Sequence, residues 1–124
     1  MDADTGGTAG HLMVSVRPWA GGLVIRPEGE LDHESAGPLR EALDAALDAP
    51  PARLVVDCGG LDFCDSTGLN LLLRAHATAR AGGGALSLAA PGEMVSRMLT
   101  ITGVGEVFPV YPTLDEALAG QVGG

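Results

Sequence analysis

Short apolar runs and helical stripes take turns along this 124-residue chain, and that alternation restricts its fold more than any other feature. Leu12, Val14 and Val16 alternate with Met13, Ser15 and Arg17, the period-two pattern of a half-buried strand. Pro18 to Gly22 has turn chemistry, and Leu23-Val24-Ile25 reads as a second strand, antiparallel to the first because the connection is short. Gly29-Glu30-Leu31-Asp32 leads out of it. From His33 to Leu47, the residues Ala36, Leu39, Leu43, Ala46 and Leu47 recur at steps of three and four. That is one apolar stripe on a helix, which Pro50-Pro51 stops. Leu54-Val55-Val56 reads as a buried parallel strand ending near Asp57, followed by a Gly59-Gly60 loop.

The spacing of Leu69, Leu72, Leu73, His76 and Ala77 predicts a second helix from Ser66 to Ala81, ended by Gly82-Gly83-Gly84. Leu86 to Ala89 reads as a fourth strand, and Pro91 opens a third helix that stops at Gly103. Val107-Phe108 reads as a short fifth strand. Thr113 and Glu116 form a capping box for a last helix. The order is therefore β-β-α-β-α-β-α-β-α. Three strand–helix–strand units demand parallel strands joined by right-handed crossovers. The expected fold is a single α/β domain: a mostly parallel sheet of about five strands, an N-terminal antiparallel hairpin and about four helices. Residues 1–10 read as a flexible tail, 11–119 as the domain and 120–124 as a flexible end.

Size supports one core. At 12.5 kDa, scaling relations allow about two thirds of the unfolded surface to be buried. Since 46% of residues are hydrophobic, the chain is no disordered segment. Trp19, Phe63, Phe108 and Tyr111 are its only aromatics, so aliphatic side chains must fill the interior.

Charge narrows function. Sixteen acidic residues against seven basic ones give −9. The basic residues are single, scattered arginines (Arg17, Arg26, Arg40, Arg53, Arg74, Arg80 and Arg97), which cannot neutralise several phosphates together. Nucleic acid and anionic membranes are thus unfavourable partners. The chain has no lysine, which excludes a Walker A loop and Schiff-base catalysis. Nothing at its start resembles a signal peptide, and no apolar run approaches the ~20 residues of a membrane span. Cys58 and Cys64 match neither a CxxC pair nor a zinc spacing, and two free thiols fit a reducing cytoplasm.

The most unusual local sequence is Leu61-Asp62-Phe63-Cys64-Asp65-Ser66-Thr67-Gly68-Leu69, between a strand's end and a helix's start. Scaffolds fix such turns while leaving them exposed, which is why function gathers there. Asp65, Ser66 and Thr67 are all good helix caps, so capping is one reading. A hydroxyl pair beside a carboxylate and then Gly68, which would leave the hydroxyl uncovered, is a functional one. A hydrolase built on Ser66 lacks GxSxG and a placed histidine, since His11, His33 and His76 fall on a strand edge, a loop and a helix flank. Asp57, Asp62 and Asp65 can be drawn as a cation cluster, but no phosphate-cradling loop accompanies them, so no metal and no cofactor is expected.

Gly29-Glu30-Leu31-Asp32 after a hairpin, then Leu54-Val55-Val56-Asp57, then Leu61-Asp62-Phe63 with Asp65-Ser66-Thr67-Gly68-Leu69, resembles the STAS domain family. The similarity spans roughly residues 12–119 and is strongest to its branch of bacterial anti-sigma-factor antagonists. It implies a phosphorylatable serine directly after the aspartate, here Ser66, with Thr67 as the lesser acceptor. It also implies a partner-binding patch of Asp32, Asp65, Ser66, Thr67, Gly68 and Leu69. The implied partners are an anti-sigma factor that is itself a serine kinase, and a serine phosphatase. On this reading the protein is a cytoplasmic phosphoprotein, not an enzyme, and a monomer when free. It binds the anti-sigma factor when unmodified, lets go when Ser66 is phosphorylated, and so regulates transcription by partner switching. The alternative within the family is a STAS subunit of a lipid-transport or stress-sensing complex without a phospho-switch.

Overall fold

A computed structural model describes residues 12–19 and 21–123. Among these residues the elements are β1 (Leu12–Trp19), β2 (Gly22–Leu31), α1 (Gly37–Leu47), β3 (Arg53–Asp57) and β4 (Gly60–Cys64). There follow α2 (Ser66–Ala81), β5 (Ala85–Ala89), α3 (Glu93–Thr102), a 3-10 turn (Val104–Glu106), β6 (Val110–Tyr111) and α4 (Leu114–Gly123). The sheet runs β1-β2-β3-β5-β6, parallel except for the β1–β2 hairpin. Strand β2 is long enough to hold two successive neighbours on one edge. Its Leu23–Ile25 pair with Leu54–Val56 of β3, and its Glu28–Leu31 pair with Gly60–Cys64 of β4.

Alternation along the strands divides the core in two. Ile25, Leu31, Leu54, Val56, Leu86 and Leu88 are buried on one face beneath α1, α2 and α3, whose Leu39, Leu43, Leu69, Leu72, Val95 and Leu99 join the same cluster. Val24, Val55 and Ala89 project to the opposite face and are covered by Ala117 of α4, with Trp19, Tyr111, Leu114 and Leu118 around them. The expected Thr113 cap of α4 is present: Glu116 N donates to Thr113 Oγ1 at 3.1 Å.

The sheet has six strands where five are expected. The extra one is β4, whose segment reads as loop because its side chains do not alternate: Leu61 and Cys64 are buried while Asp62 and Phe63 are exposed. A register shift opposite Gly29/Glu30 breaks the period there. Helix α1 starts at Gly37, not near His33, because Pro38 has no N–H and must sit in a first turn. The last strand lies at Val110–Tyr111, not Val107-Phe108. Gly103, with φ 77°, turns the chain into the 3-10 turn, and pairing to β5 begins only where Leu88 N donates to Pro109 O at 3.0 Å. Helix α4 carries helical backbone past Gly120, and a Cβ at Gly120 would run into the Tyr111 ring. That glycine permits close packing. The expected tail at 1–10 lies outside the described residues.

Candidate functional site

Strands β2 and β4 finish side by side, with Leu31 opposite Cys64 in parallel register. Asp65 N donates to Leu31 O at 3.1 Å, so Asp32 and Asp65 leave the sheet together at one end. Each aspartate then organises the turn that follows it.

Asp65 is the N-cap of α2, with extended backbone (φ −102°, ψ −171°) and its side chain accepting from Gly68 N at 3.2 Å. The capping reading therefore holds for Asp65. Ser66 becomes the first helical residue, and its side chain points to solvent. Its hydroxyl takes no hydrogen bond among the described residues. Thr67 is half-buried.

Asp32 holds the other turn. Its Oδ1 accepts from Glu34 N and Ser35 N, both at 3.0 Å, and lies 2.9 Å from Ser35 Oγ. Ser35 is fully buried, donates to Glu30 O at 2.6 Å and accepts from Asp32 N at 2.9 Å. Ser35 is a further residue of this turn, and its sequence signal is Asp-x-x-Ser, a turn-forming pattern in which both side chains bond to local backbone.

Two residues of the expected patch do not belong to the surface. Gly68 is buried and Leu69 is only 3% exposed. A Cβ at position 68 would lie 2.6 Å from Leu31 Cγ and 2.9 Å from Cys64 Sγ, so glycine lets α2 approach the sheet. Gly68 and Leu69 place the site from below. Asp32, Asp65, Ser66 and Thr67 form its reachable part.

The remaining candidates have other tasks. Asp57, nearly buried, receives Arg26 Nη1 at 2.8 Å and Gly59 N at 3.0 Å. Arg26 also donates to Glu28 at 2.7 Å, and these two carboxylates raise its pKa further, the Glu28 hydrogen bond most. Asp57, Asp62 and Asp65 do not converge, and among the described residues no group of three potential ligands could hold a metal. Burial pushes the Cys64 thiol up to about 12, aided by the Asp65 charge, and Cys58 to about 12 as well. Both are packed thiols at neutral pH. His76 is a buried helix-face residue against Phe108. No helix among the described residues is long and apolar enough to cross a membrane.

Comparison with known proteins identifies the family of this fold. The STAS domain model matches residues 12–117. The anti-sigma-F factor antagonist RsfB of Mycobacterium tuberculosis is 30% identical over 115 residues, covering 91% of this chain and 92% of the relative. The anti-sigma F factor antagonist of Paenibacillus polymyxa is 28% identical over 109 residues, covering 87% and 93%. A crystal structure of an anti-sigma factor antagonist from Mycobacterium paratuberculosis superposes with a TM-score of 0.80 at 32% identity, covering 89% of this chain and 93% of that one. With the family model spanning nearly all the described residues and a relative 30% identical over nine tenths of the chain, this chain belongs to the STAS domain family.

Proposed function

We propose that this protein is an anti-sigma-factor antagonist that binds an anti-sigma factor with serine kinase activity while Ser66 is unmodified, and releases it when Ser66 is phosphorylated. A serine phosphatase would reset it. The observation that carries the reading is the position of Ser66: exposed, without a hydrogen-bond partner among the described residues, and directly after the capping Asp65. The similarity to named anti-sigma factor antagonists over nine tenths of the chain supports the choice of partner.

The physics of such a switch follows from the first turn of α2. Phosphate brings about −1.5 to −2 charges and three acceptor oxygens. The positive end of a helix tolerates that group, so the fold survives the modification. An interface closed over it does not. The phosphate would have to be desolvated beside Asp65, and a like-charge pair at ~4 Å costs on the order of 4 kcal/mol at an effective dielectric near 20. That corresponds to about a thousandfold in affinity. Binding is lost through charge and solvation alone, and the antagonist supplies no catalytic group of its own.

The test is native mass spectrometry or calorimetry with the cognate anti-sigma factor, after ATP incubation and mapping of the modified residue. Ser66→Ala should remain bound in the presence of ATP, and Ser66→Asp should bind more weakly. Equal affinity of the phosphorylated and unmodified forms would overturn the proposal.

A further inference from the structure

Of the chain's four aromatic side chains, three have packing partners inside the protein. Phe108 is buried in the main core, and Trp19 and Tyr111 pack against the cluster under α4. Phe63 belongs to neither cluster and is 39% exposed. Its orientation follows from register. Leu31 and Cys64 are paired and buried beneath the three helices, so the preceding pair, Glu30 and Phe63, points to the other face of the sheet. Helix α4 covers that face over Val24, Val55 and Ala89, which leaves Phe63 uncovered near the sheet's end.

Phe63 stands three residues before Ser66, so their Cα atoms are at most about 11 Å apart. A protein–protein contact of ordinary size takes about 800 Å² from each partner, a disc about 16 Å in radius. Any protein that closes over Ser66 therefore reaches Phe63. The other exposed side chains of these two segments, Glu30, His33, Glu34, Asp62 and Ser66, are all polar. Interfaces set an apolar centre, enriched in aromatic side chains, inside a polar rim. Here one aromatic ring is available to be that centre.

We propose that Phe63 is the apolar anchor of the anti-sigma-factor contact, inserted into an apolar pocket of that partner, while Ser66 switches the contact on and off. The inference rests on the function proposed above and divides the work of the site between two residues. Phe63 touches none of the atoms that react when Ser66 is phosphorylated. It is a positioning residue, and its contribution to binding is the same before and during the transfer. Losing such uniform binding raises KM and leaves kcat unchanged.

The experiment is calorimetry with the cognate anti-sigma factor in the presence of ATP, on a Ser66→Ala background that holds the contact in its unmodified form. Adding Phe63→Ala should weaken binding at least about tenfold. Phe63→Leu, which preserves an apolar body and with it the fold, should fall between the two. Ile101→Ala trims a side chain that is 75% exposed at the C-terminal end of α3, and it should leave binding unchanged. Thermal denaturation of the free chains should show a cooperative transition in every variant, because the Phe63 ring lies outside both cores. In the protein that keeps Ser66, Phe63→Ala should raise KM for phosphorylation at least about tenfold with kcat unchanged. Unchanged affinity in both Phe63 variants, or a loss confined to kcat, would overturn the inference and leave the Ser66 switch standing. Failure of the Ser66→Ala protein itself to bind would instead overturn the proposed function, and this inference with it.

Discussion

Replacing Gly68 with alanine separates two explanations of why glycine stands two residues after Ser66. If Gly68 serves only to leave the Ser66 hydroxyl uncovered, alanine should stabilise the protein by up to about 1 kcal/mol, because glycine is the poorer helix former. The structure argues the opposite sign. The added methyl would sit 2.6 and 2.7 Å from Leu31 Cγ and Cδ2 and 2.9 Å from Cys64 Sγ. Neither neighbour has room to retreat, since Leu31 is 0% and Cys64 1% exposed. Overpacking costs about 1–3 kcal/mol, and three contacts under 3 Å against buried side chains put it in the upper part of that range, about 2–3 kcal/mol; less the propensity gain of about 1 kcal/mol, the net loss is about 1–2 kcal/mol. For a domain of this size, thermal denaturation should show Tm lower by about 4–8 °C. A double-mutant cycle adds a second check: with Leu31→Ala in the background, the extra methyl enters the vacated space and the penalty should vanish or reverse. A Gly68→Ala protein as stable as the parent, or more so, would refute the packing argument.

Three further outcomes are expected. The pKa values of Cys58 and Cys64, near 12 in the folded protein against 9.0 as a reference, make stability pH-dependent at the alkaline end. Above pH 9 the unfolded chain loses thiol protons that the folded chain keeps. The unfolded state then binds fewer protons, and stability falls as pH rises from 9 toward 12, by at most about 1.4 kcal/mol per unit per thiol. Urea denaturation at pH 8 and pH 10 should show this fall, and the Cys58→Ala/Cys64→Ala pair should flatten it. Asp32→Ala removes an acceptor from Glu34 N and Ser35 N and should cost about 1–2 kcal/mol in urea denaturation, with partner binding lost as well. Thr113→Ala removes the cap bonded to Glu116 N and should cost about 1 kcal/mol, loosening α4 over Val24, Val55 and Ala89 in hydrogen exchange.

Much of this architecture is legible in the residues themselves. The alternation of Leu12 to Val16, the stripe through Leu39 and Leu43, the glycine stops and the Thr113/Glu116 box are local signals, and local physics reads them. Asp65-Ser66 at a helix start is equally local, so the candidate serine is visible without any structure. Where longer-range contacts decide, the sequence misleads. Strand β4 has no readable period, because its conformation comes from the outer half of β2, an element about thirty residues away, and from a shift in their register. Gly68 and Leu69 look like surface beside Ser66, yet packing against Leu31 and Cys64 takes them inside. The chain alone determined which segments form helices and most strands, and which hydroxyl follows a capping aspartate. Only the tertiary structure decided which neighbours of that hydroxyl face water and which lie beneath it, because burial depends on partners distant in sequence.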